Sequence, residues 1–91
     1  MAHYFMHLRD GAEELLDPEG KEFASLSDLR RAVLDAARSL ISEDVRQGVM
    51  DMRFRIDAED ERGAVVYRLP FKHAVSIIPE IEAPREVVSD A

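Results

Sequence analysis

Cysteine is absent from this chain of 91 residues. Without a thiol, the chain has no disulfide, no cysteine nucleophile, no thiolate zinc site and no cysteine-bound iron–sulfur cluster. No apolar run reaches the roughly 18 residues that a membrane helix needs, and the N-terminus lacks the basic-then-apolar pattern of a secretory signal. From these absences we expect a cytoplasmic protein without a membrane segment.

Recognisable catalytic and cofactor motifs are also missing. The six serines fall at predicted cap, helix-surface and tail positions, and none lies in a Gly-x-Ser-x-Gly elbow. The four glycines are accounted for by turns and one helix cap, and they form no phosphate-binding loop. We therefore expect a protein that is not an enzyme and that uses no cofactor.

Positive charge is in short supply, because 12 lysine and arginine residues face 19 acidic residues, for a net charge of −7. This balance disfavours nucleic-acid binding, which depends on neutralising phosphates. One acidic cluster comprises Asp57, Glu59, Asp60 and Glu61. It lacks the Asp-x-Asp-x-Asp-Gly spacing and the closing glutamate of a calcium loop, so it predicts a solvated turn.

What the chain does contain is typical of one small soluble domain, with 46% hydrophobic and 34% charged residues. A chain this short buries only about 60–65% of its unfolded surface. A homodimer would add burial, and we expect one, with a different protein partner as the other interpretation. We assign residues 1–78 to the domain and residues 79–91, with two prolines and an excess of acid, to a flexible tail.

The clearest element is a helix over residues 27–47. Its apolar positions follow the i, i+3, i+4 spacing for three turns: Leu29, Ala32, Val33, Ala36, Ala37, Leu40 and Ile41. Ser27 is the predicted N-cap, with Ser25 as the competing assignment, and Gly48 suits the left-handed position that ends a helix.

The remaining elements are extended. Residues 3–9 alternate as a strand and end at an Asp-Gly turn, from which a short strand over about residues 13–16 returns. Residues 17–20, Asp-Pro-Glu-Gly, predict a β-turn, and residues 21–24 would extend the second strand. A second hairpin joins residues 52–57 to 64–69, and residues 71–78 predict a short helical piece. The order ββαββ predicts an α+β domain, an antiparallel sheet with one main helix on one face.

The opening Tyr-Phe-Met-His-Leu-Arg-Asp-Gly of residues 4–11 carries a resemblance. Together with the Asp-Pro-Glu-Gly turn, the alanine-rich helix and Val-Tyr-Arg-Leu-Pro-Phe at residues 66–71, it resembles a family of short alphaproteobacterial domains of unknown function. That family opens with Tyr-Phe-Phe-His-x-Arg-Asp-Gly, and Met6 replaces its second phenylalanine. The resemblance covers about residues 3–75 and implies a fold, but no activity and no functional residues.

His3 and His7 lie four residues apart in that motif. On a helix this spacing would bring two imidazoles to one metal ion. On a strand they share a face but lie about 13 Å apart, and zinc–nitrogen bonds are about 2 Å long. We therefore predict no metal site, even with His73 as a third histidine, and interpret them as sheet-face side chains that hydrogen-bond or stack.

The sheet face away from the helix is the candidate binding face. The residues that we expect to face the helix are Tyr4, Met6, Leu8, Phe54, Ile56, Val65, Tyr67 and Leu69. The candidate residues on the reverse face are His3, Phe5, His7, Arg9, Arg53, Arg55 and Arg68, with Val66 beside them.

Three interpretations of this face stay open. The first is a solvated face with cross-strand charge pairs. The other two are a homodimer interface and a surface for an anionic partner, because arginine is enriched at protein interfaces and binds oxyanions. Single-stranded RNA ranks low, since one phenylalanine is too few stacking platforms. An antitoxin-like regulatory protein and a small enzyme with an unrecognised motif are the alternatives.

Overall fold

The structure, a computed structural model, describes residues 1–80. It confirms the predicted α+β class, with a five-stranded antiparallel sheet and one main helix. The elements in chain order are β1 (Ala2–Arg9), β2 (Glu14–Leu15), β3 (Lys21–Phe23), α1 (Leu26–Arg46), β4 (Arg55–Glu59), β5 (Val65–Pro70) and a 3-10 turn (Phe71–His73).

Strand β1 lies inside the sheet, with two short strands along one side of it. β2 pairs with the C-terminal half of β1 and β3 with the N-terminal half. β4 pairs with the other side of β1, and β5 forms the far edge. The prediction that residues 21–24 extend the second strand is therefore wrong, because the turn of residues 17–20 separates β2 from β3 and moves the chain along β1.

The helix begins earlier than its predicted cap. Ser25 is the N-cap, and its side chain accepts a hydrogen bond from the backbone N–H of Asp28 at 3.1 Å. Ser27 lies inside the first turn, so the competing assignment is the correct one. At the other end Gly48 has φ +87°, as predicted for the residue that terminates the helix.

The core lies between α1 and one face of the sheet. Leu29, Val33 and Ala37 project from successive turns of α1 and are fully buried. They meet Ile56 and Ala58 of β4 in the same buried cluster. The i, i+4 stripe read from the sequence is thus the buried side of the helix.

The second hairpin is displaced along the sequence relative to its prediction. β4 begins at Arg55, not residue 52, and runs on to Glu59. The register shifts between Ala58 and Glu59, so Val65 pairs with Glu59 and is 43% exposed instead of facing the helix. Such a bulge changes the direction in which the following side chains point.

The acidic cluster at this hairpin is consequently divided. Asp60 and Glu61 lie in the connection, where the Asp60 carboxylate accepts hydrogen bonds from the backbone N–H groups of Arg62 and Ala64. Asp57 and Glu59 lie in β4. The prediction of a solvated turn is therefore wrong for these two residues.

The helical segment after β5 is shorter than predicted. The helical piece predicted over residues 71–78 is the single 3-10 turn, whose Phe71 is buried and donates its backbone N–H to the Phe54 carbonyl at 2.9 Å. Pro79 and Glu80 belong to no helix or strand, and the rest of the predicted tail, residues 81–91, lies outside the described residues. Within residues 1–80 no helix is both long and apolar enough to cross a membrane.

Candidate functional site

The sheet face opposite α1 gathers most of the candidate residues in one place. His3, Phe5, His7 and Arg9 alternate along β1 away from the helix, as a strand requires. Across the sheet, the strand register places Arg55 of β4 opposite Arg9. It places Arg68 of β5 opposite Asp57, the β4 residue that lies opposite His7. Arg53 is not part of this face. It precedes β4, and its guanidinium and backbone N–H bind Asp51.

Asp57 lies at the centre of this face and was not among the predicted site residues. In the strand register it lies opposite His7 of β1 on one side and opposite Arg68 of β5 on the other. Its side chain has no solvent exposure. The alternation Arg-Ile-Asp-Ala-Glu of residues 55–59 was the available signal, because it continues the Arg55 face through Asp57 and Glu59.

Three guanidinium groups surround the Asp57 carboxylate. Arg68 Nε donates to Oδ1 at 2.7 Å, and Arg9 Nη1 donates to Oδ2 at 2.8 Å. Arg55 Nε lies 3.2 Å from both oxygens. Burial by itself raises the pKa of Asp57, but the hydrogen bonds from Arg68, Arg9 and Arg55 outweigh it, so the pKa lies below its ordinary value.

Arg9 binds three carboxylates through its Nε–H and Nη1 groups. Besides Asp57, it donates to Glu59 at 2.9 Å and to Glu14 of β2 at 3.1 Å. The hydrogen bonds to Asp57 and then Glu59 raise the pKa of Arg9 further above its ordinary value. Arg9 therefore ties β2, β1 and β4 together on this face.

Arg55 and Arg68 are engaged only in part. Their side chains are 32% and 53% exposed, and each donates its Nε–H to Asp57. Within residues 1–80, no acceptor meets either Nη group of Arg55 or Nη1 of Arg68. The two guanidinium groups thus share one buried carboxylate and keep unbonded N–H groups.

The two histidines hold the turn of residues 17–20 against β1. The backbone N–H of Asp17 donates to His7 Nδ1 at 3.0 Å, and His3 Nε2 donates to the Glu19 carbonyl at 2.7 Å. The Phe5 ring lies between them, 5.1 Å from the ring of His3 and 6.3 Å from that of His7. Within residues 1–80, no group of three or more acidic or histidine side chains is placed to hold a metal ion.

Asp17 and Gly20 complete this unit. The Asp17 carboxylate accepts backbone N–H groups from Met6 at 3.2 Å and from Gly20 at 3.0 Å. Burial raises the pKa of Asp17, but these backbone hydrogen bonds bring it below its ordinary value. Gly20 has φ +67°, and a Cβ there would lie 2.6 Å from His3 Nε2. The Asp-Pro-Glu-Gly turn and the histidine pair are therefore one interlocked structure.

His7 also approaches a carboxylate. Because Nδ1 accepts from Asp17, the ring proton lies on Nε2, which is 3.5 Å from Glu59 Oε1. Both side chains are largely buried, 11% and 16% exposed. The pair links β1 to β4 beside the arginine cluster.

A hollow of about 400 Å³ lies at the border of this face, beside Arg9 and Arg55. Its other lining comes from residues 11–14 and includes Glu13 and Glu14. The two acidic side chains make the hollow unfavourable for an anion.

The fold and this face define a small α+β domain whose outer sheet surface is an arginine–carboxylate network. The model of one family, described as a domain of unknown function (DUF6894), matches residues 3–72, from the start of β1 into the 3-10 turn. The chain belongs to this family. No curated protein and no solved structure matches it.

Proposed function

We propose that this chain is a non-enzymatic binding domain that recognises an oxyanion of its partner through Arg55 and Arg68. The observation that carries the proposal is that one buried carboxylate, Asp57, orients both guanidinium groups and leaves part of each unbonded. The planar guanidinium forks match carboxylate and phosphate groups, the chemistry we infer for the ligand.

The ion pairing on this face supports this site. Among the described residues, Arg55 and Arg68 form ion pairs with Asp57, whereas Glu59 and Glu14 pair with Arg9. The three arginines and three carboxylates balance in charge, so the attraction for an oxyanion comes from the unbonded N–H groups of Arg55 and Arg68. Because Asp57 already holds both side chains, less side-chain entropy is lost when a ligand binds.

Nuclear magnetic resonance titration of the intact chain with inorganic phosphate, and separately with glutarate, tests the proposal. We expect the arginine Nε–H signals of Arg55 and Arg68 to shift, and R55Q or R68Q to weaken binding about fivefold or more. A response to phosphate alone or to glutarate alone identifies the oxyanion.

The matched control is R53Q, because Arg53 is an exposed arginine that pairs with Asp51 away from the face. It should leave both titrations unchanged. The proposal is wrong if R53Q weakens binding as much as R55Q, or if neither anion shifts the two Nε–H signals.

Three further predictions from the sequence accompany this proposal: self-association, a cytoplasmic location and an alphaproteobacterial origin. An antitoxin-like or regulatory role would use the same contact with an anionic partner. The enzyme alternative would need His7 or His73 beside a carboxylate as its acid–base pair, and His7 lies beside Glu59. We assign that pair to the fold, since His7 Nδ1 is occupied by the Asp17 N–H and the His7 side chain is only 11% exposed.

A further inference from the structure

An apolar groove of about 260 Å³ lies on the helix side of the sheet, where α1 leaves the β2 side uncovered. Its floor includes Met6 and Leu8 of β1, and Leu40 of α1 forms one wall. Leu15, Leu16 and Asp17 form the opposite wall. The groove is thus on the other side of the sheet from Arg55 and Arg68.

Three of the four leucines that line the groove are exposed. Leu15 is 69% exposed, Leu16 53% and Leu40 39%. Leu15 also lines a second hollow with Leu8 and Phe54, so it stands between two apolar depressions. Contiguous exposed apolar surface of this kind typically marks a site of interaction.

The form of the occupant follows from the size and the backbone of the groove. Small-molecule pockets usually begin at about 300 Å³, so this groove suits side chains projecting from a partner. β2 has only two residues, and the N–H of Asp17 is already bonded to His7. The edge therefore offers little backbone for an added strand, whereas an amphipathic helix binds through its apolar side chains alone.

The chemistry of the occupant follows from charge. Asp17 lines the groove and Glu13 lines the adjoining hollow around Leu15, whereas the Glu14 carboxylate binds Arg9 on the other face. The whole chain carries −7, so a second copy would bring the same sign of charge to this surface. We propose that the groove binds an amphipathic helix of a partner protein, with leucine-like residues on one face and lysine or arginine around them. This surface is independent of the oxyanion site, and the two together would make the domain an adaptor.

Fluorescence anisotropy with a labelled synthetic helix tests this inference. The probe is a peptide of about 15 residues with leucine at i, i+3, i+4 and i+7 and lysine elsewhere. A second peptide carries glutamate in place of lysine. We expect the intact chain to bind the lysine peptide, and the double variant L15S/L40S to bind it about tenfold more weakly.

The controls separate the groove from general charge attraction and from the oxyanion site. L26S changes a leucine that is 46% exposed at the far end of α1, and R55Q changes the reverse face. Both should bind the lysine peptide as the unchanged chain does. L15S/L40S and L26S alter exposed side chains, whereas R55Q alters a side chain that is 32% exposed and leaves Asp57 its bonds to Arg9 and Arg68. Circular dichroism should show the same fold for all three variants.

Four results would overturn the inference. These are no binding of the lysine peptide, equal binding by L15S/L40S, equal binding of the glutamate peptide, and a homodimer that L15S/L40S dissociates in sedimentation. The last would assign the groove to a second copy of the chain.

Discussion

Several aspartate side chains in this protein accept hydrogen bonds from the backbone of its turns. Asp10, Asp17 and Asp60 each accept backbone N–H groups from residues two to four positions ahead. These hydrogen bonds favour the charged carboxylate and lower the pKa of Asp10 and Asp60. Part of the net negative charge therefore serves to form the turns.

The close approach at Gly20 leads to a first prediction. In G20A, the new Cβ would lie 2.6 Å from His3 Nε2, 2.7 Å from the Tyr4 carbonyl oxygen and 2.8 Å from Phe5 Cδ2, at φ +67°. We expect a loss of about 3 kcal/mol in the free energy of unfolding, measured by urea denaturation, from steric overlap added to backbone strain.

G11A is the matched control for this prediction. Gly11 also has positive φ, +94°, but a Cβ added there would meet no atom within 4 Å beyond its chain neighbours. Backbone strain alone should cost about 1 kcal/mol. Equal losses in the two variants would show that the packing of the turn against His3 does not contribute.

A second prediction concerns Asp57. D57N should lower the free energy of unfolding at neutral pH by about 3 kcal/mol, because it leaves Arg9, Arg55 and Arg68 without their shared counter-charge. D51N removes a partly buried carboxylate that pairs with the exposed Arg53 outside the sheet. It should have a much smaller effect, and similar losses in both would contradict the central role of Asp57.

The same substitution should change the pH dependence of stability. The pKa of Asp57 is lower in the folded state than its ordinary value of 3.8. Its carboxylate therefore contributes stability above that value, and the contribution is lost as the pH falls through the lower folded-state pKa. Urea denaturation at neutral and acidic pH should show a smaller fall for D57N than for the unchanged chain. Equal falls in the free energy of unfolding would mean that protonation of Asp57 does not contribute to the pH dependence of stability.

At the scale of the element, the local sequence before α1 offers two candidate N-cap residues. Both Ser25 and Ser27 are residues that favour an N-cap. The structure selects Ser25, whose backbone is extended at φ −155° and whose side chain reaches the Asp28 N–H. Starting at Leu26 also lets Leu29 occupy the first fully buried position of the helix.

The third prediction tests this cap. S25A should lower the free energy of unfolding by about 1 kcal/mol, because one backbone N–H of the first turn loses its acceptor. S27A, inside the helix, should change it by less than about 0.5 kcal/mol. Thermal unfolding of both variants measures the difference, and a larger loss in S27A would reject the assignment.

The strands show why element boundaries are harder to predict than element types. Residues 52–57 alternate as a strand, yet Arg53 turns back to Asp51 and β4 begins at Arg55. The bulge between Ala58 and Glu59 then moves Val65 outward. Neither event follows from alternation alone, since both depend on how β4 meets its neighbours.

At the scale of the whole molecule, the sheet ends at β5, whose outer edge pairs with no other strand of the described residues. Self-association, which the small size of the chain predicts, would most simply use this edge. Val66 of β5 is 37% exposed and Arg68 is more exposed still. Pro70 at the end of β5 limits the length of such an edge, because it has no N–H to donate.

The fourth prediction is a dimer through β5. Multi-angle light scattering at concentrations on the order of tens of micromolar should give twice the chain's 10.3 kDa. V66K should shift the mass towards the monomer, since a lysine on an edge strand opposes edge pairing. A mass of 10.3 kDa for the unchanged chain would reject the dimer, and a dimer insensitive to V66K would place the interface elsewhere.

The sequence by itself determined the α+β class, the position of α1, the first strand and the turns at residues 10–11 and 17–20. Each depends on a local pattern: apolar periodicity, alternation, or an aspartate followed by glycine. It also grouped His3, Phe5, His7 and Arg9 on one face, because they alternate along a single strand. Only the tertiary structure decided that Asp57 is buried beneath Arg9, Arg55 and Arg68. The contact between Arg9 and Asp57 joins residues 48 positions apart and depends on the register between β1 and β4, which no local pattern contains.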